Sequence, residues 1–564
     1  MTYSMNHDFV GYLLNFLFIT DIINLSLVNK SINKIIRNSN IHNQILQLVG
    51  VPSENIIDEC YKKGLLEILK IYHYNDKNII TPKGISWASR NGHTVILDWL
   101  KTNSLKFVYN SNAINLASEY AQISVLDWFK NSGLNFEYTN NAIDAAAKNG
   151  HIVVLEWFKN SGFEFKYTHQ AIDQASRYGH INVLDWFANN NLKIKFTKAA
   201  IQWASINGHI GILDWFKDNG YQFKQMKCAI DDAACHGQVA VLDWFKNSGF
   251  EFNYDPRAIC LAAARNQIAV LEWFINSGLE FKYDVYAIND AALFGHIDVL
   301  DWFKKYFGFK IRYNKSAINE AAARGHVNVL QWFKDNKYEI IYSEYAIDCA
   351  SKNGHIIVLD WFKNNKLKLK YSKSAINDAS KNGHIAVLDW FKNNKLEFKY
   401  SSEAIDNASE NCHISVLEWF KTNGYSIECT SIAISWASQN GHVKVLDWFK
   451  TNGFIKDSSL FKSTFYAIDW AAHFGHINVL EWFKNLATPS SSTGTPGFEF
   501  EYSEYTTIFA AENNRINVLD WFKNNGFELK HTKEIIEWAL ANNKTNIVDW
   551  FKINGYIVQN EQNK

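Results

Sequence analysis

The chain has 564 residues, of which 47% are hydrophobic and 20% charged, and its 57 basic and 57 acidic residues give a formal net charge of zero. That apolar content supplies a core and excludes a largely disordered chain, while the zero net charge excludes a global basic field for nucleic acid. The seven cysteines form no CxxC pair, so they indicate reduced thiols of an intracellular, cytoplasmic protein and no metal site.

Residues 1–50 predict a small helical segment that differs from the rest of the chain. Its stretch 9–28 is apolar, but Asn15, Asp21 and Asn24 interrupt it. An acid near the middle of a spanning helix is costly, and neither a basic leader nor a small-residue cleavage site is present. We therefore expect neither a membrane helix nor a secretory signal.

Six residues of this segment have the spacing of an apolar helix followed by a second helix: Phe9, Leu13, Leu17, Asp21, Leu25 and Val28. The segment resembles the F-box family, although Asn6 and His7 stand where the family has Leu-Pro. The resemblance implies that these six residues bind a Skp-type linker protein of a cullin-type ubiquitin ligase. The alternative is a helical cap, which a repeat array needs at its apolar end.

A Leu-acid-Trp-Phe-Lys element recurs along the rest of the chain, usually at a spacing of 29 residues. Its landmark tryptophans are Trp99, Trp128, Trp157, Trp186, Trp215, Trp244, Trp273, Trp302, Trp332, Trp361, Trp390, Trp419, Trp448, Trp482, Trp521 and Trp550. A fixed period of this length predicts a solenoid. We assign 51–80 to a degenerate first repeat and junction, 81–556 to about sixteen repeats with insertions near 455–465 and 487–497, and 557–564 to a polar tail.

One repeat predicts a helix, a tight turn, a second helix and a short extended connector, so the fold class is all-α. The residue eleven before the landmark tryptophan is alanine in all sixteen repeats, which favours close helix packing. Asp127 and Lys130 are three apart on a helix and permit an ion pair. The recurrent Gly-His histidines predict contacts between repeats rather than metal ligands, because Gln122 and Gln238 occupy the same position.

The pattern Ala-Ile-Asp-x-Ala-Ala-x-x-Gly-His-Ile-x-Val-Leu-x-Trp-Phe resembles the ankyrin repeat, with Gly-His and Val-Leu matching directly. The unit is four residues shorter than the 33 of that family. The resemblance therefore implies an ankyrin-type solenoid whose projecting β-hairpin is shortened to a stub such as residues 165–167. The Trp-Phe composition resembles the repeats of giant viruses of amoebae and of slime moulds, which would place a viral protein in the host cytoplasm.

The candidate partner-binding residues lie in positions that the repeat leaves variable. A second tryptophan position, twelve before the landmark residue, holds tryptophan in some repeats and polar residues in others. The two residues before Gly-His vary as well, and in ankyrin proteins this region lines the concave binding face. The candidates are Trp87, Tyr178, Trp203, Phe294, Arg324, Trp436, Trp470 and Phe474. The alternative for these tryptophans is a partly buried contact between repeats.

These features predict a non-catalytic protein-interaction module, with no catalytic residues, no cofactor, no metal, no nucleic-acid partner and no membrane partner. One hypothesis is a monomeric adaptor whose repeats select a protein and whose F-box-like segment recruits the ligase. The alternative is a scaffold or host-interaction decoy whose first helices only cap the solenoid.

Overall fold

The computed structural model describes residues 55–75, 81–103, 107–221, 226–250, 252–454, 464–487 and 500–557. All regular elements in these residues are helical, namely thirty-four α-helices and the 3₁₀ turn Gly308–Lys310, which confirms the all-α class. The α-helices follow one another as hairpins of a first helix, a tight turn and a second helix. The hairpins are Ile56–Lys63 with Leu66–Asn75, Pro82–Arg90 with Thr94–Asn103, Asn112–Glu119 with Ile123–Asn131, Asn141–Lys148 with Ile152–Asn160, Gln170–Arg177 with Ile181–Asn189, Lys198–Ile206 with Ile210–Asp218, Met226–Cys235 with Val239–Asn247, Pro256–Ala264 with Ile268–Asn276, Val285–Phe294 with Ile297–Phe307, Lys315–Ala323 with Val327–Asp335, Tyr345–Lys352 with Ile356–Asn364, Ser374–Lys381 with Ile385–Asn393, Glu403–Glu410 with Ile414–Thr422, Ser431–Gln439 with Val443–Thr451, Thr464–Phe474 with Ile477–Ala487, Thr506–Glu512 with Ile516–Asn524, and Thr532–Ala541 with Thr545–Ile553.

The chain divides into two compact units. Unit 1 comprises Met1–Ala262 and Ala269–Lys282, and unit 2 comprises Ala263–Ile268 and Tyr283–Lys564. Within each unit, neighbouring first helices approach one another most closely, whereas neighbouring second helices stand further apart. Each unit is therefore a solenoid of stacked hairpins. The sequence predicts one array over 81–556 and gives no sign of this division.

Small side chains on the first helices explain their close approach. In the hairpin that begins at Gln170, Ala171, Ala175 and Ser176 are fully buried. The second helix contributes the large side chains instead, because Leu184 and Phe187 are also fully buried and Trp186 is only 7% exposed. Burial of one such aromatic side chain stabilises the fold by roughly 2–3 kcal/mol.

The turn between the two helices depends on a residue in the left-handed region. Gly179 has a φ of +75°, and a Cβ atom there would lie 2.8 Å from Nδ1 of His209 in the next hairpin. That histidine donates from Nε2 to the carbonyl of Arg177 over 3.1 Å. In the position of His209 three other hairpins carry glutamine, and Gln238 Nε2 donates in the same way to the carbonyl of Ile206 over 2.9 Å. The Gly-His pair is thus a contact between hairpins, as its sequence pattern predicts.

The acid of the Leu-acid-Trp-Phe-Lys element has a partner that local spacing did not indicate. Asp127 Oδ1 accepts a hydrogen bond of 2.7 Å from Nε1 of Trp157 in the next hairpin. The same bond recurs along both units, for example between Trp390 and Asp360. The lysine also reaches the next hairpin, where Lys159 bonds the side chain of Asn190. The recurrent acid and lysine of the repeat therefore connect successive hairpins. An ion pair within one helix occurs at positions such as Lys484 and Glu481.

A buried polar side chain on several first helices binds the start of the next first helix. Asp173 accepts from the amide nitrogen of Thr197 over 2.8 Å and from its hydroxyl over 2.6 Å. The hydroxyl of Thr197 in turn caps its own helix by accepting from the amide of Ala199. A capping hydroxyl contributes about 1 kcal/mol to a helix. Where this contact occurs, the packing of one hairpin therefore depends on the cap of the following hairpin.

The connectors between hairpins form no β-strand in the described residues. The predicted stub at 165–167 is an irregular segment in which Tyr167 donates from its hydroxyl to the carbonyl of Lys193, 2.7 Å away in the next connector. In place of the family's β-hairpin the described chain thus has the short connector that the sequence predicts, and successive connectors contact one another through bonds such as this one. No helix among the described residues is long and apolar enough to cross a membrane.

Candidate partner-binding surface

The second tryptophan position lies on the first helices of both units. Trp87, Trp203, Trp436 and Trp538 are partly buried there, whereas Trp470 is 41% exposed. The exposure of the second tryptophans thus differs from hairpin to hairpin, and their role in partner binding stays a prediction from the sequence.

In unit 1, cations of the chain itself cover the second tryptophans. The ammonium of Lys62 lies 4.7 Å from the ring centre of Trp87, and the guanidinium of Arg90 lies 5.2 Å from it. Arg90 also stacks on Tyr120 at 4.3 Å and donates to its hydroxyl. The indole nitrogen of Trp87 is buried without a hydrogen-bond partner among the described residues.

Further along unit 1, Arg177 lies over the ring of Trp203, 4.1 Å from its centre. Tyr178 follows Arg177 and is 47% exposed. Both residues line a cleft of about 440 Å³ with the carboxylate of Glu119 and the ammonium of Lys148. Since Lys148 pairs with Glu119 at 3.7 Å, the charges of this cleft are balanced within the chain.

In unit 2, aromatic side chains of neighbouring first helices contact one another at the surface. Trp470 stacks on Phe474, with ring centres 6.0 Å apart, and His473 bridges to Phe509 of the next hairpin at 5.6 Å. Phe509 in turn stacks on Tyr505 at 5.9 Å. Together with the exposed Tyr466 of the same first helix, these residues form the aromatic cluster, defined as Tyr466, Trp470, His473, Phe474, Tyr505 and Phe509.

The sequence predicts two of these six residues, Trp470 and Phe474. Phe509 occupies the second tryptophan position of its own repeat, so a search of that position for any aromatic residue would have found it. Tyr466 and Tyr505 lie four residues before that position, one helical turn away, which is a second signal in the sequence.

The remaining candidates of unit 2 do not join this cluster. Phe294 is 47% exposed and stacks only on His296 within its own hairpin. Arg324 is exposed at the end of Lys315–Ala323, and Trp436 is partly buried on Ser431–Gln439. The residues of the F-box-like segment, Phe9, Leu13, Leu17, Asp21, Leu25 and Val28, lie outside the described residues, as do most residues of both predicted insertions.

Several buried carboxylates of the described residues accept hydrogen bonds from the next hairpin. Desolvation raises the pKa of Asp144, Asp173, Asp348 and Asp406, and hydrogen bonds from a Thr or Ser of the next hairpin oppose that rise. Asp231 differs because the residue that faces it is Asp255, and burial together with that second charge raises its pKa to about 6. Its Oδ1 atom has no hydrogen-bond partner among the described residues, whereas its Oδ2 atom lies 3.8 Å from Nε of Arg257.

No set of three or more His, Cys, Asp or Glu side chains in the described chain could hold a metal ion. Burial raises the pKa of the Cys60 and Cys429 thiols to about 12, so both are protonated at neutral pH. The seven cysteines are all free, four of them of intermediate exposure. Cys60 and Cys429 are therefore packing residues rather than nucleophiles.

The sequence matches no protein-family model and no curated protein. The stacked helical hairpins determine the structural class of the chain. The chain is a helical repeat protein. A solved structure to which it is similar is the pentatricopeptide repeat protein PPR10 from maize, at 12% identity over 98% of this chain and 94% of that chain, with a TM-score of 0.26. Because that TM-score is low, the helical repeat class rests on the stacked hairpins themselves.

Proposed function

We propose that this helical repeat protein is a non-catalytic scaffold that binds a protein partner through the aromatic cluster of unit 2. The observation that carries the proposal is that Trp470, Phe474 and Tyr505 remain 41%, 37% and 52% exposed although they belong to one cluster, which spans two hairpins through the contact of His473 with Phe509. The hairpin does not need them, because other repeats carry Gln174 or Asn407 in the position of Trp470. Clustered surface aromatics are typical anchors of protein interfaces.

The charges near the cluster favour a protein over nucleic acid. Glu512 on the helix of Phe509 is exposed, and Glu504 precedes that helix. Carboxylates at these positions repel phosphate groups, which dominate nucleic-acid affinity. The absence of catalysis is supported by the buried carboxylates, whose partners belong to neighbouring hairpins.

The finer proposal is an ankyrin-type adaptor that presents its bound protein to a cullin-type ubiquitin ligase through residues 1–50. It is supported by the Gly-His and Val-Leu pattern of the repeats and by the F-box-like spacing of Leu13, Leu17 and Leu25. The alternative is a scaffold or host-interaction decoy in which residues 1–50 only cap unit 1.

Proximity labelling by the full-length chain in its native cell tests the scaffold. Trp470→Gln and Phe474→Asn introduce residues that other repeats carry at the same positions, so the hairpin is expected to fold. The double variant should lose the partners that the native chain labels. The control is Ile357→Asn, which removes a 72% exposed isoleucine from a second helix and should keep them. An unchanged partner set in the double variant would refute the proposal.

Co-precipitation with a purified Skp-type linker protein tests the adaptor. Replacement of Leu13, Leu17 and Leu25 by alanine should abolish the interaction while the melting temperature of the repeats stays the same. Absence of linker binding by the native chain eliminates the adaptor. If deletion of residues 1–50 then causes aggregation without loss of a particular partner, the cap is the correct alternative.

A further inference from the structure

The first helices of unit 1 show how this chain covers a second tryptophan. Arg177 ends one first helix, and Trp203 lies on the next, with the guanidinium 4.1 Å from the ring centre. In repeat numbering, the residue nine before one landmark tryptophan lies over the residue twelve before the next. A guanidinium in this position is attracted by the electron-rich face of the indole.

Unit 2 places a carboxylate where unit 1 has this arginine. Glu512 occupies the position of Arg177 and Trp538 the position of Trp203. The two side chains line one cleft of about 190 Å³, together with Glu534, Ile508 and Ile535. Among the described residues, no lysine or arginine lies over the ring of Trp538, and Glu512 has no hydrogen bond or ion pair.

The chemistry of this cleft is that of a cation site. It is lined by one indole, two aliphatic side chains and two carboxylates. A water molecule occupies about 30 Å³ in the liquid, so the cleft has room for a much larger group. A guanidinium satisfies both the indole face and a carboxylate, which accepts two parallel hydrogen bonds from it.

We propose that the cleft of Glu512, Glu534 and Trp538 binds an arginine side chain of a basic segment of the protein partner. The partner's guanidinium takes the position over Trp538 that Arg177 takes over Trp203. This inference rests on the proposed function, since it names the chemistry of the partner that docks beside the aromatic cluster. The cleft and the cluster are neighbours in sequence order, because Phe509 and Glu512 share the helix Thr506–Glu512.

The negative charges on these two hairpins favour a partner segment that is positively charged. Glu504, Glu512, Glu534 and Glu537 lie on or beside the last two first helices, where Lys533 is the lysine that pairs with Glu537 at 4.0 Å. His531 lies between Glu504 and Glu534, at 3.4 and 3.5 Å. The excess of carboxylates attracts a cationic segment and raises its rate of association.

The test measures fluorescence anisotropy of a labelled peptide of alternating arginine and glycine with the full-length chain at physiological salt. A citrulline peptide keeps the shape of arginine without its charge, and a lysine peptide keeps the charge without the planar fork. We expect the arginine peptide to bind tightest and the citrulline peptide not to bind. Equal affinity for arginine and citrulline, or binding of a uridine oligonucleotide instead, would overturn the proposal.

Four variants locate the site. Glu512→Gln and Trp538→Gln should each weaken the arginine peptide about threefold or more, and Glu512→Arg should abolish binding because the new arginine covers Trp538. Glu537→Arg is the matched control, as it makes the same charge change on the same face of the chain but outside the cleft. A loss that is as large in Glu537→Arg as in Glu512→Arg, or no loss in Trp538→Gln, means general charge attraction and refutes the cleft.

A gain of function gives a second, independent measure. Arg177→Glu places a carboxylate beside Trp203 and reproduces the arrangement of Glu512 and Trp538 in unit 1, so arginine-peptide binding should increase in stoichiometry by one site. Circular dichroism melts confirm that each variant is folded. If the peptide fails to bind while the Trp470→Gln, Phe474→Asn chain still loses its partners, the cation site is wrong and the scaffold proposal stands.

Discussion

The indole nitrogen of Trp215 donates a hydrogen bond of 2.8 Å to the carboxylate of Asp185, which lies thirty residues earlier in the chain. Trp215 is 7% exposed, so its nitrogen has little access to water. The same bond recurs from hairpin to hairpin. The Leu-acid-Trp-Phe-Lys element therefore connects each of these hairpins to the one before it. The acid, the tryptophan and the lysine of that element are therefore needed for folding, which leaves other positions for recognition.

We predict that Asp185→Ala lowers the free energy of unfolding by about 1 kcal/mol, because it leaves the indole nitrogen of Trp215 without its acceptor. Asp185→Gln should cost less, since Gln331 accepts from Trp361 over 2.8 Å at the equivalent position. Urea denaturation followed by circular dichroism measures the difference. Asp218→Ala, on the same helix as Trp215, removes an exposed carboxylate and should have no effect. Equal losses in the alanine variants would show that the hydrogen bond contributes nothing.

Burial and the charge of Asp255 act on Asp231 more strongly than Arg257, which lies 3.8 Å from it, and this environment predicts a stabilising substitution. The folded-state pKa of Asp231 is raised to about 6 from 3.8, so the stability that this group contributes is fully present below pH 4 and is lost as the pH rises through 6. Asp231→Asn cannot ionise and should raise the free energy of unfolding at pH 7 by about 2 kcal/mol. The gain should disappear at pH 4.

Asp255→Thr provides the matched test of that cause. It gives Asp231 the amide and hydroxyl donors that Thr197 gives Asp173, and it removes the second charge. We expect a gain of the same sign at pH 7 from thermal melts. Asp173→Asn is the control, where the gain should be smaller because the carboxylate already accepts two bonds. A destabilised Asp231→Asn chain at pH 7 would contradict the assignment.

The Gly-His histidines predict acid sensitivity. Burial lowers the pKa of His355, and the neighbouring His384 lowers it further. A lowered folded-state pKa means that the stability is present above pH 6.5 and is lost as the pH falls through the folded value. His355→Gln should therefore flatten the decline of the melting temperature between pH 7 and 5, because glutamine makes the same bond to the preceding hairpin without a charge. His531→Gln should have the opposite effect, since neighbouring carboxylates raise the pKa of His531. If His355→Gln leaves the pH profile unchanged, the histidine is not responsible.

Periodicity in the sequence was sufficient for the all-α class and for the small and large faces of the two helices, because the burial of Ala175 and Phe187 is decided within one hairpin. It was not sufficient for the partner of Asp185. A lysine and an acid three residues apart are neighbours in any helix. A hydrogen bond between residues thirty apart depends on how successive hairpins are positioned relative to one another, and the length of the repeat does not determine that position.

For the candidate partner-binding surface too, the sequence predicts the positions of the residues but not their exposure. Exposure of Trp470 and coverage of Trp203 differ although both residues occupy one sequence position, because the residue that covers the ring comes from the preceding hairpin. Arg177 stands there for Trp203, and Gln439 stands there for Trp470. The sequence holds both residues, but only the observed register pairs them. The F-box-like segment stays a prediction from sequence.

The pair of Arg177 and Trp203 should show a measurable coupling energy. We predict that Arg177→Gln and Trp203→Gln each destabilise unit 1, and that a double-mutant cycle gives a coupling of about 0.5–1 kcal/mol, the range of a cation over an exposed indole. Glutamine is suitable because Gln174 occupies the position of Trp203 in the preceding hairpin. The matched cycle is Glu512→Gln with Trp538→Gln, where no cation covers the ring and the coupling should be near zero. Equal coupling in the two cycles would mean that the guanidinium does not act on the indole, and it would remove the internal precedent for an arginine over Trp538. Chemical denaturation at low and high salt measures both cycles, and the coupling in unit 1 should fall only slightly with salt because the two side chains are in direct contact.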